Sequence, residues 1–428
     1  MASEWEQHRL SDVLRLISGG TPRRSEPTYW GGDVPWLSVK DFSGDARYVS
    51  DAGERISQVG LENSSTKLLH PGQIIVSARG TVGELAQIAR PMALNQSCYG
   101  LDGKPEYVTN DFLYYLLRHT VRDIRQITHG AVFDTITRET FEHIVVLLPP
   151  MPLQQRIAHI LGSLDDKIEL NRRMNRTLEK MAAAIFKSWF IDFDPVHAKA
   201  EGRDPGLPAE VSGLFPSSFE DSALGPMPKG WTPGKLADVA DNPRRTTQPS
   251  DVPPTTPYIG LQHMPRRCIA LDAWGRADEV GSGKSQFKEG EILFGKLRPY
   301  FHKVGIVPVD GVCSTDILVV VPKSPEWHSY ALSLVSSKAF VDYTDSHSAG
   351  TKMPRTNWKD MGRYPLALPP EPLAKAFQDH VAALHQRIGL AVRQNRRLAG
   401  LRDTLLPKLL SGEMELLATD GIENEEVR

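Results

Sequence analysis

The feature that most restricts how this chain can fold is that it is written twice. Residues 71–79 (PGQIIVSAR) match residues 289–297 (EGEILFGKL) at an offset of 218, and Asn95-Gln96-Ser97 falls on Cys313-Ser314-Thr315 at the same offset. Further on, LLPPMPL at 147–153 aligns with ALPPEPL at 367–373 at an offset of 220. In that register Leu164, Ile168, Leu170, Asn175, Arg176 and Leu178 meet Leu384, Ile388, Leu390, Asn395, Arg396 and Leu398. Small changes of register are what loop insertions produce. Each copy is about 200 residues of globular sequence, a Pro-Pro stop and then a helix.

The helices follow from spacing. Ile157, Leu161, Leu164, Ile168, Asn171, Asn175, Leu178, Ala182 and Ile185 step alternately by four and three. Phe377, Val381, Leu384, Ile388, Ala391, Asn395, Leu398, Arg402 and Leu405 do the same in the second copy. A sustained heptad seam is the pattern of coiled-coil packing, and an intramolecular antiparallel pair gives each seam its partner. Prolines 149, 150 and 152, and 369, 370 and 372, stand where a helix can begin but cannot be extended backwards. Asn175 and Asn395, equivalent across the copies, are expected to fix register. At 1.5 Å per residue, residues 153–191 predict a rod of roughly 58 Å. Seven Lys/Arg against four Asp/Glu in 153–191, and seven against two in 372–412, give these helices basic outer faces.

Residues 192–230 carry three basic and seven acidic side chains and are rich in Pro, Gly, Ser and Ala, which predicts a loop-like connector. Residues 413–428 form a short acidic tail. Within the globular parts, Gln73 to Ser77, Glu291 to Phe294, Val145 to Leu148 and Tyr364 to Leu368 read as strands; Asp111 to Arg118 and Trp327 to Val335 read as helices. Three widely spaced cysteines (Cys98, Cys268, Cys313) fit neither a disulfide framework nor a cysteine-based zinc site. No leader is expected from the polar start, and no apolar run approaches the 18 or so residues of a membrane span, so a cytoplasmic location is expected. A net charge of −2 excludes a uniformly basic chain, yet local patches still suffice for nucleic acid.

Catalytic patterns do not hold up. Gly281-Ser282-Gly283-Lys284-Ser285 lacks the earlier glycine of a phosphate loop, with Asp278 in its place. There is no nucleophile elbow, no His-Glu-x-x-His helix and no Asn/Asp-Pro-Pro-Tyr/Phe motif of an adenine methyltransferase. Asp165-Asp166-Lys167 lies on the heptad helix and is expected to be a solvated face.

Several segments resemble the specificity subunit of type I restriction–modification systems. They are Ser18-Gly19-Gly20-Thr21-Pro22 with Tyr29 to Leu37, Gly72 to Gly83, Leu148 to Ala158 running into Leu164-Asp165-Asp166-Lys167-Ile168, and Leu214 to Ser222 with Pro228-Lys229-Gly230-Trp231. The second Pro-Pro segment departs from the pattern: Glu371-Pro372-Leu373-Ala374-Lys375 lacks the usual Glu/Gln-Gln pair. The resemblance implies an α+β chain of two mixed α/β target recognition domains in tandem, each followed by a long helix, the helices pairing as an antiparallel coiled coil. The segments are then 1–150 (first recognition domain), 151–191 (helix), 192–230 (connector), 231–370 (second recognition domain), 371–412 (helix) and 413–428 (tail). It further implies that each domain reads one half of a split site in double-stranded DNA. The helices serve as spacer and as docking surface for two methyltransferase subunits, and restriction/translocase subunits join the complex. The chain itself is then no enzyme and holds no cofactor or metal; S-adenosylmethionine, ATP and magnesium belong to the partners, in a bacterial or archaeal cytoplasm. The alternatives are a chain with its own methyltransferase or nuclease activity, and a standalone DNA-binding regulator or scaffold.

Arginine clamps guanine, and Asn or Gln clamps adenine. The candidate readers in turn-rich segments or just after strands are Arg23, Arg24, Ser77, Arg79, Thr81, Asn95 and Gln96 in the first copy. In the second they are Arg244, Arg245, Lys296, Arg298, Tyr300, Lys352 and Arg355. The seam candidates are Ile157, Leu161, Leu164, Ile168, Asn175, Leu178, Val381, Leu384, Ile388, Asn395 and Leu398. Trp30, Trp36, Trp274 and Trp358 are expected to pack in cores rather than stack on bases.

Overall fold

The computed structural model describes residues 5–42, 44–128, 135–350, 352–414 and 416; apart from 413, 414 and 416, the expected acidic tail lies outside them. The chain divides into two compact units. One runs to Glu169 and resumes at Leu398; the other is Leu170–Arg397.

In the first unit, β1 (Glu6–Arg9) pairs antiparallel with β11 (Val145–Leu148), tying the start of the copy to its end. One sheet has the order β2-β10-β7-β8-β4, with β2 Leu14–Ser18, β4 Tyr48–Val49, β7 Ile74–Ser77, β8 Leu85–Ile88 and β10 Cys98–Gly103. The other is β5-β3-β9-β6, with β3 Trp30–Leu37, β5 Glu54–Ile56, β6 Leu68–Leu69 and β9 Met92–Leu94. Every residue of β7 and β8 is buried, Ser77 and Gln87 included, so both strands are covered on both faces. Helix α1 (Asn110–Thr128) lays Phe112, Leu113, Tyr115 and Leu116 into the core with Ile74, Val76 and Leu101.

The second unit repeats this plan. β14 (Thr232–Lys235) pairs with β24 (Pro365–Leu368) as β1 does with β11. One sheet is β15-β23-β20-β21 (Ala240–Asp241, Ile317–Pro322, Ile292–Gly295, Val304–Ile306). The other is β16-β19-β22-β17-β18 (Thr246–Thr247, Lys284–Phe287, Gly311–Cys313, Pro257–Ile259, Gly275–Arg276). The parallel pair β3–β9 recurs as the parallel pair β17–β22.

The turns after β9 and β22 correct the register of the repeat. Asn95 N donates to Leu37 O (2.9 Å), Cys98 N to Asn95 O (3.2 Å), and Asn95 Oδ1 accepts from Ser97 N (3.0 Å). Ser314 N donates to Ile259 O (2.8 Å), Ile317 N to Ser314 O (2.9 Å), and Ser314 Oγ accepts from Asp316 N (3.2 Å). The partner of Asn95 is therefore Ser314 and not Cys313. The offset drifts from 218 at β7/β20 to 219 here because the second copy carries one more residue between these strands.

The long helices are α2 (Met151–Phe190) and α4 (Glu371–Leu410), and the offset of 220 holds over all 40 residues. Each starts from its Pro-Pro: Leu153 and Gln154 bond back to Pro150 O, and Leu373 and Ala374 to Pro370 O. In the second unit the helices run antiparallel. Asn171 Nδ2 donates to Asn395 Oδ1 (2.8 Å), while Phe186 and Trp189 lie against Phe377 with ring centroids 5.9 and 5.8 Å apart. Ile388, Val381 and Ala182 are buried there, with Leu178 and Leu384 half-buried. In the first unit, Ile157, Ala158 and Leu161 share a core with Leu406, Leu409 and Leu410; Ile168 is buried, and Leu164 and Leu398 are half-buried.

Two expectations fail. Asp165 is not on a solvated face: it is 5% exposed and takes hydrogen bonds from Arg402 Nη1 (2.6 Å) and the Tyr115 hydroxyl (2.7 Å). Its neighbour Asp166 is exposed, as expected. Residues 192–230 are no loose connector. They hold the helix α3 (Asp194–Ala200) and the hairpin of β12 (Phe219–Ser222) with β13 (Gly225–Pro228). Val196, Phe215 and Met227 are buried in the second unit's core beside Trp231, so a few apolar anchors outweigh a polar composition.

Candidate nucleic-acid interface

In the first unit the glycine pair Gly19-Gly20 brings three loops together. A Cβ on Gly19 would stand 1.8 Å from the Asn95 carbonyl oxygen, so only glycine lets this strap lie on the turn after β9. Gly20 N donates to Leu94 O (3.0 Å), and Gly20 O accepts from the Trp36 indole (3.0 Å). The strap thus places the Thr21 hydroxyl on Gln96 Oε1. The turn after β7 joins the same edge through Ala78 N and Arg79 N, both donating to Ser97 O (2.8 and 3.3 Å). Arg79, Thr81 and Gln96 are exposed together there, with Asn95 half-buried.

Not every candidate is free to read. Ser77 is fully buried; its hydroxyl donates to Thr81 O and accepts from Glu84 N (2.8 Å), which closes the 78–83 turn. Arg24 pairs with Glu54 (2.5 Å), and its guanidinium lies 3.8 Å from the centre of the Trp30 ring, a geometry that holds a cation in place. Arg23 is exposed on the same loop. Arg138, which was not singled out from the sequence, donates to Ser18 Oγ (2.9 Å) at the foot of the strap.

In the second unit the equivalent edge gathers the loops 296–301 and 314–316 with residues 349, 350 and 352–356. Lys296 N donates to Asp316 O (2.9 Å) and Thr356 N to Lys296 O (3.0 Å). Arg298, at φ +51°, donates its backbone N–H to Pro354 O (2.7 Å). Arg355 pairs with Asp316 (3.2 Å), Tyr300 is half exposed, and Lys352 is exposed. Arg245 is tied to Glu291 behind the edge, a supporting position, whereas Arg244 is exposed.

Chemistry at the remaining motifs is structural. The Gly281 to Ser285 run leads into strand β19, and Lys284 Nζ folds back on Ser282 O and Oγ (2.5 and 2.8 Å). A phosphate loop would open a helix instead. Burial pushes the thiols of Cys98, Cys268 and Cys313 up to about 12, so they are protonated packing groups at neutral pH. Trp36 is buried and Trp358 packs against the core, while Trp30 and Trp274 lie under Arg24 and Arg396. Among the described residues there is no group of three or more His, Cys, Asp or Glu placed to hold a metal, and no helix is long and apolar enough to cross a membrane.

With this geometry established, known proteins place it. The profile of the type I restriction modification DNA specificity domain matches residues 2–180. The specificity subunit of type I restriction enzyme MjaIX from Methanocaldococcus jannaschii is 25% identical over 430 residues, covering 96% of this chain and 94% of that one. That of HindI from Haemophilus influenzae is 24% identical over 474 residues, covering 96% and 100%. The crystal structure of a type I restriction-modification S subunit from M. genitalium superposes with a TM-score of 0.50 at 15% identity, over 95% of this chain and 96% of that one, and shares the fold. Along nearly its whole length the chain is thus similar to specificity subunits of type I restriction enzymes, and the specificity-domain profile covers its residues 2–180.

Proposed function

We propose that this chain is the DNA sequence-specificity subunit of a type I restriction–modification complex, with each copy reading one half of a bipartite site in double-stranded DNA. The observation that carries this reading is one backbone frame used twice with different side chains at its edge. The same turn presents Asn95, Gln96 and Ser97 in one copy and Ser314, Thr315 and Asp316 in the other. Equal frames with unequal edges read two different words. The recognition domains are then residues 1–150 and 231–370. Arg23, Arg79, Thr81, Asn95 and Gln96 face the first word, and Arg298, Tyr300, Lys352 and Arg355 the second.

In this reading the long helices separate the two words by a fixed unread gap and dock two methyltransferase subunits, with restriction/translocase subunits completing the assembly in a bacterial or archaeal cytoplasm. The chain performs no chemistry. Adenine methylation from S-adenosylmethionine, and magnesium- and ATP-dependent translocation with cleavage, are carried by those partners. The test is the adenine methylation map of the host genome with this gene intact and deleted. A split motif that vanishes on deletion supports the proposal; an unchanged map from a host with working partner subunits overturns it. Arg79→Ala should lower affinity for the first word while leaving the fold intact, read by duplex binding across salt concentrations and by circular dichroism.

A further inference from the structure

The second unit contains a recess beside the reading edge, which shares Lys296, Thr315 and Thr356 with it. It is an open cleft of about 230 Å³ between β16, β19, the turn after β20, and the segment that leads into Trp358. Arg244, Lys296, Thr246, Ser285, Thr315 and Thr356 line it. Two observations mark it as built for a ligand. Thr356 is 2% exposed, and its Oγ1 is buried with no hydrogen-bond partner among the described residues, an uncommon state for a hydroxyl that a group from outside the chain would relieve. And among the described residues that line the cleft there is no carboxylate, while Arg244 and Lys296 have no acidic partner.

The chemistry selects an anion. Base reading through amides is closed here. Asn242 Nδ2 donates to Val319 O (2.7 Å), and Asn357 is bound at both ends of its amide by Asp360 (2.6 and 3.1 Å). A base-reading side chain must also protrude into the groove of the duplex, whereas Thr356 is a buried residue in the wall of a concavity. Two cations above a set of hydroxyl donors is the donor set that meets phosphate oxygens.

We propose that this cleft seats a backbone phosphate of the DNA at the second half-site, so that Arg244, Lys296 and Thr356 position the duplex and do not read it. The inference rests on the function proposed above. It is tested on the chain co-produced with its methyltransferase subunits, using a duplex that carries the motif from the methylation map and a second duplex with both half-sites scrambled. Arg244→Gln and Lys296→Gln should each lower affinity about tenfold at 0.1 M salt on both duplexes alike. Each should also reduce the slope of log affinity against log salt by about 1. Thr356→Val should weaken binding roughly tenfold, by loss of one hydrogen bond to a charged acceptor, with the slope unchanged. The methylated motif should be the same for all three. A changed base in the second half of the motif, or an unchanged salt slope in both cation variants, overturns the phosphate seat. A parent complex with no preference between the duplexes overturns the specificity assignment instead.

Discussion

The two units pin their long helices with opposite chemistries at equivalent places. In the first, Asp165 lies buried between Arg402 and the Tyr115 hydroxyl, and Arg402 reaches on to Asp45 (3.0 Å). In the second, the residue at the offset of 220 from Asp165 is His385, and Arg402 becomes Ala182. His385 meets the Ser329 hydroxyl (3.1 Å), and the second unit's core is apolar and aromatic: Phe186, Trp189 and Phe190 where the first unit has Leu406, Leu409 and Leu410. One backbone plan is compatible with either solution. The charged one is all or nothing, since a buried ion stripped of its partner is far worse than none. A smaller contrast makes the same point. Thr109 N is satisfied by Gln154 Oε1 (3.3 Å), but the equivalent position on the second helix is Ala374. There a Gln one helical turn further on, Gln378, accepts through its Oε1 from Ser329 N (2.8 Å). The missing Gln of the second Pro-Pro segment is thereby replaced.

The contrast can be broken most forcefully at Arg402. Arg402→Ala should cost the first unit about 3–5 kcal/mol in denaturant unfolding, because Asp165 is left buried and unpaired. Arg402→Met combined with Asp165→Leu should recover most of that loss. Next comes the strap: Gly19→Ala drives a Cβ onto the Asn95 carbonyl and should lower stability by about 1–3 kcal/mol, with weaker binding of the first word.

Acid should distinguish the units. Burial, with a contribution from His328, holds His385 down to about 4, against about 6.5 for an unfolded histidine. Between those values the unfolded chain takes up a proton that the folded chain refuses, so the second unit loses stability as pH falls from about 6.5, by at most about 1.4 kcal/mol per pH unit. Burial holds His302 and His263 low as well, with the same sign. In the first unit Asp45 is held below the usual carboxylate range: burial opposes this, but Arg118 and Arg402 prevail. Its contribution is intact above about pH 4 and is lost only as pH falls through that depressed value. Hydrogen exchange resolved by unit should therefore show the second unit loosening first, and His385→Asn should flatten its response. The smallest effect is expected at the polar seam. Asn395 has an unpartnered Nδ2, and Asn171 Nδ2 keeps Gln394 as a second acceptor, so Asn395→Leu should change unfolding by less than about 1 kcal/mol.

What the sequence made legible was whatever is encoded by near neighbours. The heptad steps located both helices, the Pro-Pro pairs located their starts, and the apolar runs at Ile74 and Ile292 located the central strands. Burial decided by distant partners stayed hidden. Asp165 looks like surface until Arg402, 237 residues away, is placed beside it. Phe193, Phe215, Met227 and Trp231 are too sparse among polar residues to reveal that 192–230 is folded. At the reading edge the loops were legible from their turn chemistry. Which side chains are already engaged was not: Ser77 closes a turn, Arg24 lies on Trp30, and Thr356, with no conspicuous chemistry of its own, holds the buried free hydroxyl.

The offset between copies drifts through the globular parts but stays at 220 from the Pro-Pro stops to the last helical residue. A crossover at the prolines, exchanging one reading head for another, would leave every seam residue opposite its old neighbour. The prolines thus mark where length is free to change and where it is not: loops can grow in a head, but each exchange of a head has to preserve its few buried ties to the helices, such as Tyr115 to Asp165 and Asp45 to Arg402.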